Sequence, residues 1–107
     1  MYPIYNLNSP PADLDHSRTL YIGRGSFWGN PYRIGQDGMD RRSVVEAYRQ
    51  RLWNSFKAKG PAYQKILNGE LNDKFLGCYC YPQLCHGHVL IRANHYAMNN
   101  LNHNVKL

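Results

Sequence analysis

Between Asp40 and the pair Gly60-Pro61 the sequence carries its longest unbroken helical signal, and short β-type runs lie on either side of it. Asp40 is a good N-cap, and Val45, Tyr48, Leu52 and Phe56 recur at spacings of three and four. This pattern predicts a helix running to about Lys59 with one buried face. Upstream, "YPIYNL" (2–7) and "TLYIG" (19–23) read as strands; downstream, "KFLGCYC" (74–80) reads as a third. A shorter helix is predicted over "AYQKILNG" (62–69), stopped by Gly69. A last helix, roughly 86–100, has an apolar stripe of Val89, Leu90, Ala93 and Ala97. The order β-β-α-α-β-α predicts the α/β class, a small two-layer or three-layer domain with helices packed on a short mixed sheet of about three strands. If the second and third strands are parallel, a right-handed crossover joins them.

A chain of 107 residues has material for one core, so residues 1–107 are expected to form a single domain, with a polar tail from about residue 99. That tail, "NNLNHNVKL", is expected to fray, with Val105 and Leu107 available to dock on a neighbour. No apolar run approaches membrane-spanning length, and "MYPIYNLNSPPADLD" lacks the basic-then-apolar pattern of a secretion signal. A cytoplasmic protein with no membrane partner is the expectation. Thirteen Lys/Arg against seven Asp/Glu leave a formal charge of +6, which favours an anionic small molecule or nucleic acid as partner. Nine tyrosines against three phenylalanines point to rings with one wet edge, as at a pocket or subunit contact. A chain this short barely encloses a ligand alone, so a homo-oligomer is also expected.

Two segments concentrate the unusual residues, and each follows a predicted strand. If the strands are parallel, both segments meet at the carboxyl edge of the sheet, where open α/β sheets bind ligands. The first is "YIGRGSFWGNPYRIG" (21–35). There Gly23, Gly25 and Gly29 let backbone approach a ligand, Arg24 and Arg33 supply charge, Ser26 and Asn30 supply hydrogen bonds, and Trp28 offers a stacking face. It is not the dinucleotide fingerprint, because Trp28 stands where that motif needs glycine, and no phosphate-loop Gly-Lys-Ser/Thr is present. The plainer alternative is a tight turn with glycine at positive φ and Trp28 capping the core.

The second segment, "CYCYPQLCHGH" (78–88), carries all three cysteines, an odd number that argues against a disulfide framework. Cys78 and Cys80, two apart in a strand, share a face, and with Cys85 and His86 or His88 they offer enough soft ligands for zinc, although no C-x-x-C knuckle is present. Alternatively, Cys85 is a nucleophile at a helix start, although the phosphatase-like arginine six positions later is replaced by Ile91. A third reading takes Cys85, His86, Gly87 and His88 as a helix N-terminus that receives an anion. It competes with a plain one of packed thiols and locally satisfied histidines. The third reading is preferred, with no cofactor and no committed metal site. Arg41 and Arg42 fall in the first turn of the long helix, where the dipole disfavours cations. Either Asp37, Asp40 or Glu46 pairs with them, or they face a bound anion. With Arg49 and Arg51 they raise nucleic-acid binding as a rival, but they alternate with the apolar face like a solvated surface, and no nucleic-acid-binding motif is present.

At these segments the chain resembles a small domain family of unknown function found in phages and bacteria. The matching stretches are Tyr21–Tyr32 ("IGR…WGNP"), Ile34–Gly38, the Tyr48-Arg49 pair and Leu76–Gly87 ("LGC.C.P..CHG"), so the resemblance covers about residues 19 to 95. One departure is His88, where the family commonly has an aspartate; the exchange makes the site more basic and weakens any general-acid role there. The resemblance implies a small α/β fold and a phage setting but no activity. Phages carry small basic proteins that sequester nucleotide signals of bacterial immune systems, and these need a phosphate- and base-binding pocket without catalytic machinery. The reading adopted is therefore non-enzymatic binding of a nucleotide-like or phosphorylated small molecule. Its rivals are a nucleotide-processing enzyme using Cys85 or a histidine, and a zinc-stabilised interaction or nucleic-acid module.

Overall fold

The computed structural model describes residues 3–105, with side chains as far as Asn99. Three short strands, β1 (Ile4–Asn6), β2 (Thr19–Tyr21) and β3 (Phe75–Cys78), form one sheet in the order β1-β3-β2. Both pairings are parallel, with Ile4 and Leu20 each opposite Leu76, so the sheet is wholly parallel rather than mixed. The α/β class stands as expected. Each strand is shorter than its apolar run, because ladder bonding ends where the chain turns away into loops; Tyr2 of the first run lies outside the described residues.

Three helices follow from local signals. In α1 (Arg41–Ala58) the Asp40 carboxylate accepts from the Ser43 amide at 2.8 Å. The helix ends on Lys59, whose left-handed backbone (φ 53) hands over to Gly60. Val45, Tyr48, Leu52 and Phe56 are buried as the spacing requires, together with Val44. In α2 (Pro61–Leu67) proline occupies the first turn, where it gives up no helical bond. The last helix, α3 (His86–Val105), continues past the end expected near residue 100, since neither glycine nor proline interrupts the segment after Gly87. The tail expected to fray is thus helical to Val105; the docking envisaged for Val105 and Leu107 falls outside the described side chains.

The core joins Ile4 and Leu76 of the sheet to Tyr48, Leu52 and Phe56 of α1, Ile66 of α2, and Leu90 and Ala97 of α3. On the opposite face the Tyr5 ring lies over Gly77, where a Cβ would come 2.8 Å from the tyrosine oxygen. One consequence matters for function. Parallel strands put the segments after β2 and β3 on the same edge of the sheet.

Candidate functional site

Outside the carboxyl ends of β2 and β3 lies a cleft of about 450 Å³. Its lining combines the segment after β2, the first turns of α1 and the segment after β3, so the two unusual stretches do converge. Arg24, Arg33 and Arg41 bring three guanidinium groups, and Tyr21, Tyr32 and Tyr79 three phenol rings, while no carboxylate among the described residues lines the cleft. Val44, Val45, Ile34 and Leu84 add apolar surface. Tyr79 is 60% exposed and therefore offers a ring face to a ligand. Three cations with no ion-pair partner among the described residues set up, in one concavity, a positive potential that the low-dielectric walls concentrate.

The structure divides the residues singled out in the sequence. Gly23, Arg24, Asn30, Arg33, Cys85 and His86 border the cleft; Gly25, Ser26, Trp28, Gly87 and His88 do not. Trp28, expected to stack on a base, is 2% exposed, and its indole N–H donates to Glu70 at 3.1 Å. Glu70 is held in turn by Lys65. The wet aromatic faces belong to tyrosines instead. Ser26 donates its hydroxyl to the Gly23 carbonyl, and Gly25 takes φ +85 within the same turn. Asn30 braces the wall, donating to the Val44 carbonyl and accepting from the Tyr32 amide. Gly29 is required by close approach, since a Cβ there would lie 2.6 Å from the Gly23 carbonyl oxygen. The turn geometry of the plainer reading is therefore present, and it is what presents Arg24 and Arg33.

Around α3 the same division appears. Gly87 packs against Ile22 and Ile4 of the core, so it serves helix–sheet contact and not ligand approach. His86 turns inward, its Nε2 donating to the Ile22 carbonyl at 2.7 Å and its ring edge-on to Tyr48. Burial pushes its pKa below the ordinary histidine range, so the ring is neutral at physiological pH. His88 faces a groove between α1 and α3, and its Nδ1 lies against the backbone of Cys85. His86 is thus committed to a backbone carbonyl at the cleft, and His88 lies outside the cleft lining.

All three cysteines are free. β3 ends at Cys78, so Cys80 lies beyond the strand and the shared face expected for the two does not form. The close pair is Cys78 and Cys85, whose sulfurs are 3.6 Å apart. The hydrogen bond between the two thiols holds Cys78 below the usual range, while the same contact together with burial pushes Cys85 up. Among the described residues no three His, Cys, Asp or Glu side chains converge where they could hold a metal ion.

Arg41, Tyr21, Tyr32 and Tyr79 are cleft residues that the motif reading did not select. The signal for Arg41 was its place in the first turn of α1. It forms no ion pair among the described residues, Glu46 being engaged by Arg49 instead, and its guanidinium donates to the Leu84 carbonyl on the rim. Arg41 thus lines the cleft, while Arg42, its neighbour in the first turn, lies close enough to Asp40 to help lower that carboxyl. The tyrosines left only a compositional trace. No described helix is long and apolar enough to cross a membrane.

The family described as a domain of unknown function, DUF4326, matches residues 7–95. The chain is 33% identical over 84 residues to the uncharacterized 12.4 kDa protein in the nrdA-td intergenic region of Enterobacteria phage T4, covering 78% of this chain and 70% of that protein. No solved structure matches the chain.

Proposed function

The chain belongs to the DUF4326 family, and we propose that it is a non-enzymatic binding protein for a nucleotide-like or phosphorylated small molecule held in the cleft at the carboxyl edge of its sheet. The observation that carries this reading is the lining itself: Arg24, Arg33 and Arg41 with Tyr21, Tyr32 and Tyr79, and no carboxylate. Guanidinium groups bind phosphate oxygens by paired, charge-assisted hydrogen bonds, and phenol rings stack on a base. The volume of about 450 Å³ falls in the range of small-molecule sites and suits one nucleotide unit. The phage relative supports a phage setting, in which the ligand is a host nucleotide signal and binding sequesters it. A binding role is favoured over catalysis because the described lining offers no carboxylate base, its histidine is committed to the Ile22 carbonyl, and Cys78 and Cys85 are paired with each other.

The test begins with native and denatured mass spectra of protein purified from cells, followed by titration calorimetry with a panel of mono-, di- and cyclic nucleotides. The expected result is released nucleotide mass or saturable binding, recovered unchanged after incubation. Losing one guanidinium–phosphate contact in Arg33→Ala or Arg41→Ala should weaken binding about tenfold or more. No binding across the panel overturns the ligand class, and conversion of the nucleotide to product overturns the non-enzymatic assignment.

A further inference from the structure

We propose that Cys78 and Cys85 are a redox-active dithiol that peroxide closes into an intramolecular disulfide. Cys78 is the last residue of β3 and Cys85 immediately precedes α3, so the pair joins the two elements that carry one wall of the cleft. Their sulfurs lie 3.6 Å apart with a thiol hydrogen bond between them. A disulfide needs about 2.05 Å, so closure asks the sulfurs to approach by roughly 1.5 Å. The intervening segment, Tyr79–Leu84, contains no helix or strand, and its ends are exposed. Both cysteines border the cleft, each 2% exposed, so only an oxidant as small as hydrogen peroxide fits the route from the cleft to the sulfurs. The pair is independent of what the cleft binds.

The hydrogen bond also assigns roles. Either sulfur can donate in that hydrogen bond; the pairing lowers the Cys78 thiol and raises Cys85, so Cys78 acts as the thiolate and Cys85 as the resolving thiol. The Cys78 thiolate attacks one peroxide oxygen; an S–O bond forms, the O–O bond breaks, and the departing hydroxide takes a proton to leave as water. Cys85 then attacks the Cys78 sulfur; the S–S bond forms, the S–O bond breaks, and the second oxygen leaves as water with the Cys85 proton. Two thiols and one peroxide become one disulfide and two waters. A dithiol reductant reverses the step by exchange. Cys80, beyond the strand end, stays reduced.

The full-length protein is treated with stoichiometric hydrogen peroxide, alkylated and measured by intact mass and peptide mapping. The expected product has lost two hydrogens, carries a Cys78–Cys85 bridge and one alkylated thiol at Cys80, and regains three alkylatable thiols with dithiothreitol. Cys80→Ser should form the bridge unchanged. Cys85→Ser should stop at a sulfenic acid on Cys78, trapped by dimedone. Three alkylatable thiols after peroxide, or a bridge that engages Cys80, overturns the proposal. Should Cys85→Ser fail to fold, the map of the wild type and of Cys80→Ser decides alone.

Discussion

Lowering the pH should loosen the cleft through His86. The imidazole is 7% exposed, donates to the Ile22 carbonyl at 2.7 Å and packs edge-on to Tyr48. It thereby ties α3 to the segment after β2 and to α1, which together surround the cleft. Burial lowers its pKa from the ordinary 6.5, so below that pH the unfolded chain takes up a proton that the folded protein refuses. Stability from this residue is therefore present above about pH 6.5 and lost as pH falls toward the folded value. Acidification from pH 7.5 to 5.5 removes at most ~1.4 kcal/mol, the limit set by proton uptake in the unfolded chain. In a chain of this size that lowers the melting temperature by about 5–10 °C. The assay is thermal unfolding by circular dichroism across that range, comparing wild type with His86→Gln. Glutamine can still donate to Ile22 but does not titrate, and groups common to both proteins cancel in the difference. The wild type should lose the extra stability and the variant should not. Parallel pH profiles, or an NMR titration placing His86 at or above 6.5, would refute the reasoning.

Other substitutions separate core from cleft. Trp28→Ala removes a ring that is 2% exposed and should cost ~3–5 kcal/mol in urea unfolding, whereas Tyr79→Ala, at a residue 60% exposed, should change stability by less than ~0.5 kcal/mol. Equal effects would mean that Trp28 is not a core residue. Tyr48→Phe deletes the hydroxyl that donates to the Trp28 carbonyl at 2.9 Å and should cost ~1–3 kcal/mol; a neutral result would show that water replaces it. Gly29→Ala forces a Cβ to 2.6 Å from the Gly23 carbonyl oxygen and should cost ~1–3 kcal/mol by chemical denaturation, while wild-type stability would show that the turn opens freely.

How legible the protein was in its sequence differs by element. The long helix could be placed to within a residue because its cap, its apolar spacing and its stop are local: Asp40 bonds a residue three positions away, and Lys59 turns just before Gly60. The strand ends were less accurate because ladder length depends on partners elsewhere in the chain. For the site, the convergence of the two segments was legible once parallel strands were assumed, since direction alone puts both on one edge. Five of the eleven residues chosen within them, Gly25 included, were not. Ser26, Trp28, Gly87 and His88 are polar, aromatic or small for reasons of turn, core and helix packing, and residue type alone does not distinguish those uses from ligand contact.

The sequence by itself determined the α/β order, the helix with its caps and the two glycine- and cysteine-rich segments, because each rests on interactions within a few residues. Only the tertiary structure decided that β3 runs between β1 and β2, that Glu70 takes up the Trp28 indole, that Arg41 joins Arg24 and Arg33, and that Cys78 meets Cys85. Those contacts join positions that chain periodicity leaves uncorrelated. They are set by how buried surfaces and strand registers fit together, and no local spacing encodes that fit.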